Sequence, residues 1–223
     1  MVDRIFLLTG EQEIPVLSRV LQNQNVSIAV QGVSNSDDLS YAASARSSGR
    51  IRLIAFSTNV LVKKEILDIC DAGALNFHPG PPAVPGVHTA AFALYENLKT
   101  FGITAHHMSV KPDDGTIITV ERFQIEPTIT RDALEIETYT ALARLFMAMS
   151  PDLSNMDYVF LPDPQERWAG QLRTFALYDQ LRQIRNDLDP GEIARRRRAF
   201  AGDVLEDDDA PERRAKESGQ NHD

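Results

Sequence analysis

The sequence predicts an α/β fold with an open, mostly parallel sheet that carries helices on both faces, followed by a small C-terminal helical extension. Short β-branched and apolar runs alternate with amphipathic stretches over residues 1–150, which is the pattern of repeated βαβ units. The composition, 43% apolar and 25% charged in 223 residues, is typical of a globular chain with a sizeable core.

The predicted elements of the first half alternate strictly. In chain order they are strand 4–8, helix 14–22, strand 26–30, helix 36–48, strand 50–56, helix 63–71 and strand 75–78. The strands are short apolar runs bounded by turn residues, and the helices repeat apolar residues at helical spacing. Such a series builds a Rossmann-like sheet.

The second half adds a pair of strands and the longest helix. The predicted elements are helix 90–99, strand 101–110, strand 116–123 and helix 130–149, whose N-cap is Thr130. Residues 151–201 form a linker and a helical extension: 150–166 is rich in proline and aspartate with at most a short strand at 158–161, and 168–200 is helical. No internal repeat is visible.

A polar pair stands at the end of strand 75–78. Residues i and i+2 of a strand point to the same face, so Asn76 and His78 project together while Phe77 packs on the other side. Four prolines in the loop 79–85 end the strand and stiffen the chain, because proline has no N–H and a fixed φ. An amide and an imidazole are therefore held rigidly.

A carboxylate is expected beside this pair. Strand 101–110 runs into the turn 111–115, which places Asp113 at a corner between two strands. The helical stretch 90–99 allows a βαβ crossover that would make strand 75–78 a neighbour of the next strand. The carboxylate, the amide and the imidazole would then meet beyond the carboxyl ends of the sheet, where α/β proteins bind ligands.

These residues form motifs that resemble those of the folate-dependent formyltransferases. The stretch 76–79 reads Asn-x-His-Pro, 102–106 reads Gly-x-Thr-x-His, and 113–118 reads Asp-x-Gly-x-Ile-Ile. The resemblance covers about residues 51–150, and 76–118 is its specific part. It implies a catalytic domain over 1–150 with 10-formyltetrahydrofolate as co-substrate and without a metal.

The resemblance also implies roles for individual residues. Asn76 and a protonated His78 would polarise the formyl oxygen, and Asp113 would move the proton from the attacking amine to the folate nitrogen. A carboxylate beside an imidazole would raise the pKa of His78 and help it keep its proton. The segment 60–67 is similar to the part of the family that receives the pteridine ring. The implied cofactor contacts are Val60, Leu61, Val62, Asp113 and Gly115.

The amine that receives the formyl group is less well defined by the sequence than the folate that supplies it. Glu11 and Glu13 stand where glycinamide ribonucleotide formyltransferases hold a phosphate, and carboxylates at a helix N-terminus repel one. The chain also has no room for the β-barrel domain of methionyl-tRNA formyltransferases. An amino-sugar nucleotide is therefore expected as the amine. The alternatives are a formyltetrahydrofolate hydrolase, a glycinamide ribonucleotide formyltransferase with an altered phosphate loop, and a non-catalytic binding module.

Three further residues are candidates for contact with the acceptor. His88 heads the helix after the proline loop, although a helix start without function is the alternative. His106 shares its strand face with Thr104, so a role in the site competes with plain packing. Gly10 lies in the loop that follows the first strand.

Composition limits the partners and the compartment. The single Cys70 excludes an internal disulfide, and its apolar neighbours predict a buried structural thiol. No signal peptide and no run of spanning length are visible, so a cytoplasmic protein is expected. The net charge of −9 disfavours nucleic acid, and the expected partners are a small-molecule amine and folate. No membrane is expected, and a homodimer is left open.

The last segment has a different character. Residues 202–223 are rich in charge and lack apolar periodicity, which predicts a disordered acidic tail. The run Arg195–Arg198 lies in a predicted helix capped by Asp189 with Pro190 in its first turn, so we interpret it as a solvated helix surface.

Overall fold

The computed structural model describes residues 2–45 and 49–206. The strands are β1 Arg4–Leu8, β2 Ala29–Val33, β3 Ile51–Phe56, β4 Ala74–His78, β5 Thr100–His107, β6 Ile117–Gln124, β7 Gln183–Ile184 and β8 Leu205–Glu206. The helices are α1 Ile14–Gln24, α2 Ser36–Ser44, α3 Lys64–Leu67, α4 Thr89–Tyr95, α5 Arg131–Ser154, α6 Phe175–Leu181 and α7 Pro190–Ala199.

The main sheet confirms the predicted fold class. Six strands follow the order β2-β1-β3-β4-β5-β6, and β1 to β4 are mutually parallel. One face of the sheet packs against α1 and α5, and the other packs against α2 and α3. Helices therefore cover both faces, as the alternation of elements predicts.

The predicted crossover between β4 and β5 is wrong, because these two strands are antiparallel. Between them α4 has only seven residues. At ~1.5 Å per residue it is too short to carry the chain back to the end of β4 at which a parallel strand would have to begin. The chain instead turns back after α4, with Asn97 at a φ of 56°. β6 is also antiparallel to β5.

Several predicted boundaries move. β2 starts three residues later than predicted, because a turn around Asn25 occupies the start of the predicted strand: its side chain accepts from Ser27 N and its carbonyl accepts from Ile28 N. α3 is shorter than predicted and ends at Leu67. α2 is described to Ser44, and the last predicted residues of that helix fall partly outside the described ranges.

The long helix α5 continues past its predicted end and through Pro151 to Ser154. The buried guanidinium of Arg52 explains this end, because it donates to the carbonyls of Asp152, Leu153 and Asn155 at 2.7–3.0 Å. A cation that binds the last carbonyls of a helix satisfies groups that have no partner within the helix.

The C-terminal extension packs onto the rest of the chain. Its residues Tyr178, Ala199 and Phe200 belong to a third core cluster, shared with Phe92 and its neighbours on α4. The short parallel pair β7–β8 was not predicted, and the stretch 158–161 forms no strand. The division of the chain at residue 150 stays a prediction.

The start of the predicted disordered tail is wrong. Asp203 accepts hydrogen bonds from Arg131 at 2.6 Å and from Tyr178 at 2.5 Å, and Leu205–Glu206 forms β8. A carboxylate that meets a cation and a hydroxyl holds this stretch in place. The remainder of the predicted tail, 207–223, lies outside the described residues.

Two smaller predictions are confirmed. Cys70 is buried, and burial raises the pKa of its thiol to about 12, which agrees with a structural thiol. The arginine run lies in α7, whose N-cap Asp189 accepts from Gly191 and Glu192. Glu192 pairs with Arg196 at 2.6 Å. Within the described ranges, no helix has the length and hydropathy to cross a membrane.

Candidate active site

The end of β4 presents its polar pair as the strand period predicts. Phe77 is fully buried and packs on Phe146 of α5, with ring centroids 5.2 Å apart. Asn76 and His78 point to the opposite face, where they meet the loop that follows β5. The amide and the imidazole thus stand side by side.

The proline loop after β4 is tied down at its start. Thr104 on β5 donates to the Gly80 carbonyl at 2.8 Å, and Thr89 at the start of α4 donates to the Pro79 carbonyl. Both threonines are buried. These contacts fix the direction in which the chain leaves the motif strand.

Asp113 reaches the pair by a different route from the predicted one. Because β5 is antiparallel, its end at His107 lies opposite Leu75, and the following loop turns back along β4. Asp113 has a φ of 45° in this loop, in the left-handed region that aspartate tolerates better than most residues. Its Oδ2 accepts from Gly86 N at 2.7 Å and lies 3.4 Å from His78 Nδ1.

The backbone fixes the proton on each imidazole. His78 Nε2 lies 3.2 Å from the Val84 carbonyl, and His106 Nδ1 lies 2.8 Å from the His107 carbonyl. Since a carbonyl oxygen only accepts, each of these ring nitrogens donates. In the neutral rings the other nitrogen is an acceptor, and in both cases that nitrogen faces Asp113.

Asn76 supplies donors to this acceptor-rich cluster. Its Nδ2 donates to His106 Nε2 at 3.0 Å and makes a longer contact of 3.5 Å with Asp113 Oδ1. His106 Nε2 also lies 3.3 Å from Asp113 Oδ1. The position between His78 Nδ1 and Asp113 Oδ2 is left with two acceptors and is the natural place for one further proton.

The expected protonation of His78 at neutral pH finds no support in this arrangement. Burial lowers the pKa of His78, and the nearby Asp113 opposes this shift without overcoming it. The ring is buried and its Nε2 proton is used by a carbonyl, so it has no proton to direct at a ligand. His78 is therefore a neutral acceptor near neutral pH.

Asp113 stays ionised at the same pH. Burial alone would raise its pKa, but contact with His106, the nearby His78 and the Gly86 N–H together hold the pKa of this carboxyl below its usual range. The charged carboxylate of Asp113 and the neutral imidazole of His78 thus face each other and can bind one proton between them.

A cavity of about 640 Å³ opens beside the cluster. Its walls come from the loop after β3, the end of β4, the proline loop, the loop after β5 and the first turns of α5. The lining includes Ser57–Val62, Asn76, His78, Pro79, Gly86–Ala90, His106, Met108–Asp113, Asp132, Glu135, Ile136 and Thr138–Thr140. This volume lies within the range of small-molecule pockets in proteins.

The cavity brings together most of the predicted site residues. Asn76, His78 and Asp113 line it, as do His88 and His106. The predicted cofactor segment Val60, Leu61 and Val62 lines it as well. Leu61 is exposed and Val62 is buried in the core cluster on that face of the sheet.

Two predicted glycines do not line the cavity. A Cβ at Gly115 would lie 1.7 Å from the His107 carbonyl oxygen, so only glycine lets the loop pass its own strand there. A Cβ at Gly10 would lie 2.4 Å from Glu13 Oε2. Close packing against the backbone explains Gly115, whereas the atom that a Cβ at Gly10 would meet belongs to the end of the flexible Glu13 side chain. The expected contact of both glycines with a ligand stays a prediction.

His88 lines the cavity as the N-cap of α4, with a φ of 51°. Its ring stacks on Tyr178 at 3.8 Å and meets the edge of Phe175 at 5.4 Å. Burial lowers the pKa of His88. The C-terminal extension thus supports one wall of the cavity.

Sequence reasoning missed Trp168, which it assigned only to the helical extension. Its Nε1 donates to the Gly115 carbonyl at 2.7 Å, and its ring lies 5.7 Å from His78 and 4.9 Å from His106. The only signal was that this is the single tryptophan of the chain.

Comparison with known proteins identifies the family of this chain. Residues 12–148 match the family model described as formyl transferase. A methionyl-tRNA formyltransferase from Borreliella afzelii is 30% identical over 102 residues, which is 45% of this chain and 30% of that protein. The matched segment therefore spans less than a third of this curated relative.

Solved structures share the fold. A sugar N-formyltransferase from Shewanella sp. superposes with a TM-score of 0.72 at 15% identity, covering 90% of this chain and 88% of that one. An N-formyltransferase from Helicobacter canadensis, solved with folinic acid and dTDP-3-aminofucose, gives 0.66 at 17% identity, covering 90% and 81%. By the family model that spans most of its length, this chain belongs to the formyl transferase family.

Proposed function

We propose that this protein transfers a formyl group from 10-formyltetrahydrofolate to the primary amine of a small molecule. The observation that carries the proposal is the cluster of Asn76, His78 and Asp113 in the wall of a cavity with an apolar slot beside it. The fold supports it, because the cluster lies on the sheet of a formyl transferase family member.

The slot fits the pterin of a folate. Val60, Leu61 and Val110 give it apolar walls, while the backbone N–H and C=O groups of the loop after β3 can read a flat heterocycle. Lys111 lies on the same rim and would pair with the carboxylates of the folate. The neighbour from Helicobacter canadensis was solved with folinic acid, which supports a folate in this place.

Each residue of the cluster then has its own role in formyl transfer. Folate supplies the formyl group. Formyl transfer develops negative charge on the carbonyl oxygen and positive charge on the attacking nitrogen. Asn76 makes only a long 3.5 Å contact with Asp113 through one of its N–H groups. That N–H would stabilise the formyl oxygen. His78 Nδ1 and Asp113 Oδ2 together accept the proton from the attacking amine. They pass it to the folate nitrogen as the bond from that nitrogen to the formyl carbon breaks.

For the acceptor we propose an amino-sugar nucleotide. The support is indirect: dTDP-3-aminofucose is bound to the Helicobacter canadensis neighbour, and the cavity lining continues from the cluster to residues of α5, which leaves room for more than the folate. A phosphoribosyl acceptor in the glycinamide ribonucleotide manner is disfavoured, because Glu13 places its carboxylate over Gly10 at the start of α1.

Transfer is favoured over hydrolysis by the size of the site. The cavity is lined by the catalytic cluster, by His88, and by Glu135 and Ile136 on α5. A hydrolase needs room only for water beside the formyl carbon, whereas this space admits an amine substrate. No observation favours a non-catalytic module.

The test incubates the protein with 10-formyltetrahydrofolate and, separately, an amino-sugar nucleotide, a free amino sugar, glycinamide ribonucleotide or no amine. Mass spectrometry measures formylated product, and an enzymatic assay measures formate. We expect formylated sugar nucleotide and little formate. Formate release that is the same with and without amine would show a hydrolase, and no consumption of the folate in any mixture would overturn the proposal.

A further inference from the structure

We propose that Trp168 is a positioning residue of the active site, and that residues 168–173, the strap, hold the carboxylate of Asp113 and the ring of His78 in their working geometry. The strap follows the region 12–148 that matches the family model. Its effect on catalysis rests on the function proposed above, whereas its effect on the two side chains does not.

The strap pairs with the proline loop through backbone hydrogen bonds. Ala169 N donates to the Pro82 carbonyl at 2.9 Å, and Arg173 N donates to the Pro85 carbonyl at 2.8 Å. Val87 N donates in return to the Arg173 carbonyl at 3.0 Å. The loop over the site is thus held from outside by a second segment of chain.

Gly86 connects this pairing to the catalytic carboxylate. It bridges to Arg173 with a φ of 105°, and a Cβ there would lie 2.0 Å from the Arg173 carbonyl oxygen. The N–H of the same residue donates to Asp113 Oδ2 at 2.7 Å. The strap therefore fixes the backbone donor Gly86 N–H that holds this carboxylate oxygen.

Trp168 acts on the other side of the same group. Its indole N–H donates to the Gly115 carbonyl at 2.7 Å, two residues after Asp113. The ring meets His106 nearly edge-on at 4.9 Å and His78 at 5.7 Å. One side chain thus anchors the aspartate loop and covers both imidazoles against water.

The groups that face His78 are few. Among the residues that the structure describes, the charged or titratable ones are Asp113, from the loop after β5, and His106, from β5. The Val84 carbonyl of the proline loop accepts from its Nε2 at 3.2 Å. Burial is the largest cause of the lowered pKa of His78, and Trp168 is part of that burial.

Charges on and beside the strap are engaged elsewhere. Glu166 pairs with Arg122 at 2.6 Å, and Arg167 donates to the Glu166 carbonyl at 2.8 Å. Arg173 Nε donates to Glu96 at 2.8 Å. The strap therefore influences His78 by excluding water and fixing geometry, not by adding charge to the cluster.

The test is a histidine NMR titration of the full chain without substrate. The proteins are wild type, Trp168→Ala, Trp168→Phe and the exposed control Arg167→Ala, with His78→Asn and His106→Asn to assign the signals. We expect Trp168→Ala to raise the midpoint of His78 towards the ordinary value of about 6.5. Trp168→Phe should keep the wild-type midpoint, because it keeps an aromatic cover, and Arg167→Ala should not change it.

An unchanged His78 midpoint in folded Trp168→Ala would overturn the proposal. If that variant does not fold, wild-type fluorescence decides, because the chain has a single tryptophan and a protonated imidazole quenches a neighbouring indole. Emission should fall as the pH is lowered and His78 takes up a proton. Because His106 also contacts the indole, the step that belongs to His78 should persist in His106→Asn and be lost in His78→Asn. Emission that does not follow the titration would contradict the contact. Both readouts are independent of any formyl transfer.

In active protein the same change should appear in the pH profile. The acid limb of kcat/KM should move to higher pH in Trp168→Ala and return in Trp168→Phe, with the KM for folate little changed. A uniform loss of activity at every pH with an unmoved limb would show a merely structural role and contradict the proposal.

Discussion

Asp113 receives the Gly86 N–H on one oxygen and faces two imidazoles. Replacing Asp113 by Asn keeps the shape but removes the proton acceptor, so we expect turnover to fall by about a hundredfold or more. Folate affinity should change little. Steady-state kinetics and calorimetry measure the two quantities.

The neighbouring Asp114→Asn change is the matched control, because that side chain belongs to the same turn without entering the cluster. Its turnover should stay near that of wild type. Near-normal turnover in Asp113→Asn would remove this carboxylate from the mechanism.

The protonation of His78 gives a prediction with a defined sign. Burial lowers the pKa of His78, so the neutral acceptor form persists below the ordinary midpoint of about 6.5. The kcat/KM of the free enzyme should therefore hold from neutral pH to below that value and then fall as His78 takes up a proton. An acid limb above it would contradict the neutral assignment.

At the residue scale, the cluster of Asn76, His78 and Asp113 could be predicted from the sequence, but the protonation of His78 could not. The strand period placed Asn76 and His78 on one face, and the turn signal singled out Asp113. The lowered pKa of His78 depends on burial, which is a property of the folded chain. Trp168 could not be assigned either, because no local pattern connects it to His106.

At the element scale, Arg52 on β3 holds the C-terminal end of α5. Its guanidinium is fully buried and donates only to carbonyls, including those of Asp152 and Leu153. Replacement by Met leaves these acceptors unpaired, so we expect a loss of more than about 2 kcal/mol in the free energy of unfolding. Urea denaturation measures it.

Arg50, two residues before Arg52, provides the control for the loss of an arginine. It pairs with Asp3 at 2.7 Å at the surface, and exposed pairs contribute little. Arg50→Met should therefore be much milder than Arg52→Met. Equal losses in the two variants would show that the carbonyl cluster is not what holds α5.

Element order was predictable from alternation, but strand direction was not. The stretch before β5 reads as helix, and a helix between two strands usually signals a parallel crossover. Only the short length of α4 and the turn at Asn97 reveal the reversal. The end of α5 likewise depends on Arg52, a partner that is distant along the chain.

At the scale of the whole molecule, Asp203 connects the end of the described chain to its body. This residue pairs with Arg131 at the start of α5 and with Tyr178 of the extension. We expect a chain ending after Gly202 to melt several degrees below wild type, because a cation and a hydroxyl lose their acceptor. Differential scanning calorimetry measures this.

A chain ending after Glu206 keeps this pairing and β8. If residues 207–223 are disordered, as their composition predicts, its melting temperature and folate binding should match those of wild type. A comparable drop in both truncations would show that the acidic segment packs on the body or on a partner.

The central claim is that the cavity binds folate through the slot after β3, and one titration tests it most directly. Calorimetry with 5-formyltetrahydrofolate compares wild type, Val60→Asp and the nearly isosteric neutral Val60→Thr. We expect wild type and Val60→Thr to bind, and Val60→Asp to lose several kcal/mol, since a buried unpaired charge would face an apolar ring. Absence of binding to wild type would contradict the folate assignment, and equal binding to all three would contradict the placement of the slot.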